Sequence, residues 1–320
     1  MHRYVLMRIL WLIPIIIFVS FIVYFLLDLA PGTIIDTMIT DMMTQEDIDE
    51  LRREYDLDKP VIYRYGKYML SLLQGDLGTS RVTGLDVWTL YISRLPNTLI
   101  LAFTGLCFGT MISIPLGIIA ARHSGSIIDN STTIFTLIGM SMPGFWLGLQ
   151  LLLLFSFQLG WLPASGNRDG LRSIVLPAIC SSWILVAQTA RQTRSSMLEV
   201  LKSDFLRTAR AKGVPESVVV RKHALGNAWI PILTQLGGSF CHAIAGSAVI
   251  ESVFAWPGVG RSIVDAVTAR DLETTLGFVI MTTILYVLLQ LLVDFLYAFV
   301  DPRIKSKYAS SGRKRMVSHG

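Results

Sequence analysis

The chain has 320 residues, of which 52% are hydrophobic and only 16% charged, against about 25% charged in soluble domains. That balance excludes an ordinary soluble enzyme or binding domain and points to an integral membrane protein. The formal net charge of +5 gives no argument for nucleic acid, because basic residues beside anionic headgroups account for it.

Six stretches carry no Asp, Glu, Lys or Arg and are long enough to cross a hydrocarbon core of about 30 Å, which takes about 20 residues. They are 9–27, 98–121, 130–167, 173–190, 224–250 and 274–293. The predicted fold class is all-α and membrane-integral, with six transmembrane helices. The first run exceeds the roughly 7–15 residues of a signal core, and no small-residue cleavage site follows Asp28-Leu29-Ala30-Pro31, so it is expected to stay.

Lys and Arg in the short loops and ends set the orientation. Arg3, Arg8, Arg122, the run of basic residues from Arg191 to Lys222 and the tail from Arg303 to Arg315 fall on one side, against only Arg168, Arg172, Arg261 and Arg270 in the opposite short loops. Both termini are therefore predicted in the cytoplasm. The resulting organisation is a cytoplasmic start with the first span at 1–28, an external helical segment at 29–96, a transmembrane domain at 97–303 and a basic tail at 304–320.

In the external segment, Thr44 and Asp47 have capping-box spacing ahead of QEDIDELRREYDL. The run VIYRYGKYMLSLLQ puts Val61, Tyr65, Tyr68, Met69 and Leu72 on one helical face, to lie on the membrane surface or the bundle. The turn-rich Gly75-Asp76-Leu77-Gly78-Thr79-Ser80 follows, and Leu95-Pro96-Asn97-Thr98 leads into the second span. In the third span Pro143 predicts a kink, and the freed backbone groups require protein or water nearby. The fifth span carries Gln235, Gly237, Gly238, Ser239, His242 and Ser247, suited to close helix contact or a hydrated path. His242 is expected to be neutral and hydrogen-bonded between helices, Asp294 to form a pair, and Trp256 to sit at the membrane interface. Cys107, Cys180 and Cys241 lie in spans without metal-ligand spacing and read as apolar fillers.

Between the fourth and fifth spans, residues 204–222 form a basic, helix-prone island predicted as one helix. Ala209 and Ala211 offer close approach, Arg207 and Arg210 stand one turn apart for charge-assisted bonds, and Gly213 is an abrupt stop. A basic loop resting on anionic headgroups would look similar.

Taken in order, GDLGTS at 75–80, LPNT at 95–98, GMSMPGFWLGLQL at 139–151, WLPASG at 161–166, LPA at 176–178, RTARAKG at 207–213, HALGNA at 223–228, ESVFAWPGVGR at 251–261 and DPR at 301–303 resemble the B-type permeases of peptide and nickel ABC importers. Two departures from the wider importer pattern stand out: Arg207-Thr208-Ala209 replaces Glu-Ala-Ala, and Gly226 replaces a frequent proline. The resemblance implies a permease that is not itself an enzyme, placed in a bacterial inner membrane. It pairs with a second homologous permease, two ABC ATPases that bind the ATP and Mg, and an external solute-binding protein. This chain would hold no cofactor, metal or nucleic acid.

The resemblance assigns ATPase docking to Asp204, Arg207, Thr208, Ala209, Arg210, Ala211, Lys212, Gly213 and His223. The polar and flexible residues Ser141, Met142, Gln235 and Ser239 are expected to line the path. Peptides are the first substrate reading and a nickel or other metal chelate the second. A rival class is a six-helix intramembrane serine protease, with Ser141 as nucleophile and His242 as base, although Pro143-Gly144 follows where that family has glycine directly after the serine. An ion-driven transporter would need paired intramembrane carboxylates or inverted repeats, and the sequence offers neither. No GxxxxGK[ST] loop occurs, so ATP acts through a partner.

Overall fold

In the computed structural model, which describes residues 2–30, 35, 43–54 and 56–300, the apolar runs become helices in the predicted order. These are α1 (His2–Leu29), α2 (Gln45–Glu54), α3 (Val61–Leu73), α4 (Val87–Arg122), α5 (Ile127–Ser141) and α6 (Gly144–Leu151), which continues as a π-type helix to Gln158. After these come α7 (Leu171–Leu201), α8 (Asp204–Ala211), α9 (Glu216–Val218), α10 (Leu225–Ala245), α11 (Ala248–Val253), α12 (Val259–Thr268) and α13 (Leu272–Val300). Strand pairing among the described residues is one isolated bridge, Thr79 to Asp86. The tail at 304–320, the motif at 301–303, and positions 31–34 and 36–42 of the 29–96 segment lie outside the described residues.

Among the described residues four helices, α1, α4, α7 and α13, are long and apolar enough to cross a membrane, and α5 with α6 and its continuation makes a fifth if that pair is one span. The kink expected at Pro143 is a break of 99°. Proline cannot donate to the preceding turn, and Met142 before it is extended, at ψ 121. The sixth expected crossing, 224–250, falls short on apolarity. Its α10 has 21 residues, but Asn227, Thr234, Gln235, Ser239 and His242 dilute it, and it stops at Gly246 before α11.

A stripe of small residues packs the centre. Gly105, Gly109, Ser113 and Gly117 recur every fourth residue along α4, all buried. A Cβ would run into Ser181 Oγ at Gly105, stand 2.5 Å from a Leu185 methyl at Gly109 and 2.6 Å from the Ala190 carbonyl oxygen at Gly117. Only with these side chains absent do α4 and α7 approach backbone to backbone, as membrane helices do where small residues meet. α10 packs on both, α5 on α7, and α13 against α10 and α1. Arg8 bonds Asp294 at 3.0 Å across α1 and α13, the pairing expected of Asp294. Arg194 on α7 grips the buried Asp129 of α5, with Nη2 at 2.8 Å from Oδ2.

At the end of the bundle where α4 begins, the short motifs knit to one another. Thr98 Oγ1 donates to the fully buried Glu251 at 2.7 Å and accepts from the Val259 N–H at 2.8 Å. The other Glu251 oxygen accepts from the Arg261 N–H at 2.8 Å. Trp256, expected at the membrane interface, is buried within the protein, its indole N–H donating to the Asn97 carbonyl at 3.0 Å. In the 75–80 turn, Ser80 Oγ donates to Asp271 at 2.6 Å and the Thr79 N–H to Glu273 at 3.0 Å. The Thr44–Asp47 capping box forms, with the Thr44 N–H donating to Asp47 at 2.8 Å. The predicted face of α3 turns inward, Tyr65 donating to the Ile17 carbonyl of α1 at 2.9 Å.

Candidate functional site

Two features are candidates: a polar groove on α7 and α10, and the turn that leads into α10. The groove, of about 570 Å³, is lined by Gln188 and Gln192 of α7 and by Pro231, Thr234, Gln235, Gly238, Ser239 and His242 of α10. An adjoining cavity of about 290 Å³ shares Gln188, Ser239 and His242 and runs to Gly144 and Phe145 beside the α5–α6 break, and to Gly246 and Ser247. No Asp, Glu, Lys or Arg lines either cavity. Gln235 Nε2 donates to Gln188 Oε1 at 3.1 Å and to Ser239 Oγ at 3.2 Å, so carboxamides and hydroxyls supply the polar groups of a wall that also holds apolar surface such as Ile230. These are the residues that lower the apolarity of α10, and they face one way along it.

Of the four residues expected on the path, Gln235 and Ser239 meet in this groove. Ser141 and Met142 line neither cavity. Ser141 spends its hydroxyl on the Leu137 carbonyl of its own helix at 3.0 Å, and the part of the break that reaches the cavity is Gly144 and Phe145. His242, expected to be hydrogen-bonded between helices, is exposed in the groove. The Ser141 hydroxyl bonds no histidine, which removes the geometry a serine protease would need.

At the other end of α10, the helix expected over 204–222 is two pieces. α8 stops at Ala211, and Gly213 sits at φ +78, a left-handed conformation that glycine adopts without strain. The Gly213 N–H bonds the Arg210 carbonyl at 2.9 Å and the Val214 N–H bonds the Ala209 carbonyl at 3.2 Å. Helix resumes at Glu216 and passes through a π-type turn, Val219–Ala224, into α10. The side chain of Leu206, 0% exposed, packs with Met197, Val219 and Val220 and holds α8 down.

The residues expected to dock divide accordingly. Arg207, Thr208, Ala211 and Lys212 are exposed, as is Asp204. Ala209 is half-buried, packed against the protein's own core. Arg210 is already engaged: Nε and Nη2 donate to the two oxygens of Glu216, both at 3.0 Å. That bonding holds the Glu216 carboxyl below the usual carboxylate range, with the Arg122 charge acting in the same direction. Arg207 makes only a loose contact to Asp204 at 3.7 Å. His223 is half-buried, and its carbonyl accepts from Asn227 at 2.7 Å. The sequence reading passed over Phe205, which stands 48% exposed on α8 one turn before Thr208; an aromatic at the edge of the polar side of an amphipathic helix was the available signal.

Comparison with known proteins gives the class first. The fold is that of an ABC transporter membrane subunit: the structure "Inward facing conformations of the MetNI methionine ABC transporter" superposes with a TM-score of 0.57 over 67% of this chain and 97% of that one, at 20% identity. The family follows from sequence. The profile described as "Binding-protein-dependent transport system inner membrane component" matches residues 113–306 and its N-terminal companion residues 1–102, and the chain belongs to this family. Membership carries an ATPase partner and a multi-pass place in an inner membrane. The oligopeptide transport system permease protein AppB of Bacillus subtilis (strain 168) is 37% identical, over 95% of this chain and 100% of its own. The dipeptide transport system permease protein DppB of Alkalihalophilus pseudofirmus is 35% identical over the same shares.

Proposed function

We propose that this chain is one of two membrane-spanning halves of an ATP-driven importer of peptides. The observation that carries the reading is the uncharged groove on α7 and α10, whose polar groups are carboxamides and hydroxyls, with the helical run of α10 reaching back to Glu216 and, across the Lys212–Pro215 turn, meeting the exposed basic helix α8. Peptides of varied charge need a wall that hydrogen-bonds amides without favouring either sign, and glutamine and serine supply both donors and acceptors. The relatives named for oligopeptides and dipeptides favour peptides over a nickel chelate.

In this reading a second, homologous permease completes the groove, six crossings place both termini in the cytoplasm, and an external binding protein delivers substrate to the end carrying the 29–96 segment and α12. Of the two ATPases below the permease pair, one seats on Phe205, Arg207, Thr208, Ala211 and Lys212. Their closure on ATP moves α8 and thereby α10, two sites biasing one two-state element. The chain itself performs no chemistry.

The test is gentle solubilisation from the native host, affinity capture of this chain and mass spectrometry of what remains bound. A second permease and P-loop ATPases are expected. Capture of the chain without any ATPase, in several detergents, would refute the reading.

A further inference from the structure

The four residues Lys212–Pro215 between α8 and the run that becomes α10 are a natural hinge. Gly213 has φ +78, and nothing lies within 4 Å of where its Cβ would be. A hinge placed between a docking helix and a groove helix absorbs displacement instead of passing it on. Two grips span this one. Leu206 packs into the core formed with Val219 and Val220. One helical turn further along α8, Arg210 reaches over the hinge to Glu216, the first residue of the resumed helix, through two parallel bonds of 3.0 Å.

We propose that the Arg210–Glu216 fork is a positioning element that makes α8 and the groove-lining helix move as one body, so that ATP use is converted into transport. The inference rests on α8 being the ATPase seat. Arg210 then belongs to this chain's internal mechanics, and the charge offered to the partner comes from Arg207 and Lys212. Arginine suits the role, because its planar fork fixes both distance and angle to a carboxylate, which a lysine point charge does not. Glu216 also sits in the first turn of its helix, where a negative charge is favoured.

The experiment uses the whole complex in proteoliposomes with its own binding protein, measuring ATP hydrolysis and uptake of labelled tri-alanine on the same vesicles. Glu216→Ala should leave ATP hydrolysis near the wild-type rate and lower uptake per ATP by about fivefold, the upper end of what an exposed ion pair commands. The exchanged pair, Arg210→Glu with Glu216→Arg, should recover part of that loss; recovery is partial because Arg122 acts on position 216. Unchanged uptake per ATP in Glu216→Ala would overturn the inference. So would hydrolysis and uptake falling in proportion, which would assign the pair to docking itself. If the wild-type chain retains no ATPase at all, the docking reading fails first and the inference with it.

Discussion

Replacing Leu206 by alanine tests how α8 is held. The helix has eight residues, well under the roughly 12–15 needed for a helix to be even marginal alone in water. Its place therefore depends on contacts, and Leu206 is its one fully buried side chain. Truncating a buried leucine costs about 2–5 kcal/mol, whereas the exposed Arg210–Glu216 pair contributes at most about 1 kcal/mol. Taking about 3 kcal/mol, and about 1.4 kcal/mol per factor of ten, the population with α8 undocked should rise roughly a hundredfold. Hydrogen exchange followed by mass spectrometry in nanodiscs reads this directly. Amides of the 206–214 segment, including those of Lys212 and Val214 bonded back into α8, should lose protection by about that factor, while α4 and α7 stay unchanged. Protection within about threefold of wild type would refute the claim that this leucine anchors the helix.

Gly258→Ala places a Cβ 2.5 Å from Glu251 Oε2 and closer still to Oε1, and that carboxylate, fixed by Thr98 and Arg261, has nowhere to go; overpacking of this kind costs about 1–3 kcal/mol. The melting temperature in detergent should fall, whereas Gly226→Ala, with nothing within 4 Å, should leave it unchanged. After removal of the native cysteines, the Ser239→Cys and Gln235→Cys variants should react with a water-soluble thiol reagent in at least one nucleotide state, and the Ser141→Cys variant should not; the reverse order would move the path from α10 to α5.

Much of the helical layout was legible because it rests on local rules. Charge-free runs, the Thr44–Asp47 cap, the inward face of α3, the break at Pro143 and a partner for Asp294 all follow from neighbours in sequence or from the cost of an unpaired charge. What stayed hidden needed distant residues brought together. The four-residue spacing from Gly105 to Gly117 is visible in the sequence, but its partner on α7 is not. Glu251 and Thr98 lie 153 positions apart, and two motifs that look like separate loop signals turn out to be halves of one hydrogen-bonded staple. At the turn after α8, composition gave the basic helix and the glycine stop, but only the turn geometry shows Ala209 facing inward and Arg210 bound to Glu216.

The one-sided groove has a consequence for how the protein is made. In hydrocarbon, unused hydrogen-bonding capacity is costly, and Gln188, Gln192, Thr234 and Gln235, although each is bonded within the chain, line a wall that the chain leaves open. If the proposed second permease covers that wall, a subunit synthesised without it would carry an exposed polar seam. Under that proposal, balanced synthesis of the two halves, or rapid clearance of whichever is in excess, would link the dosage of this chain to that of its counterpart.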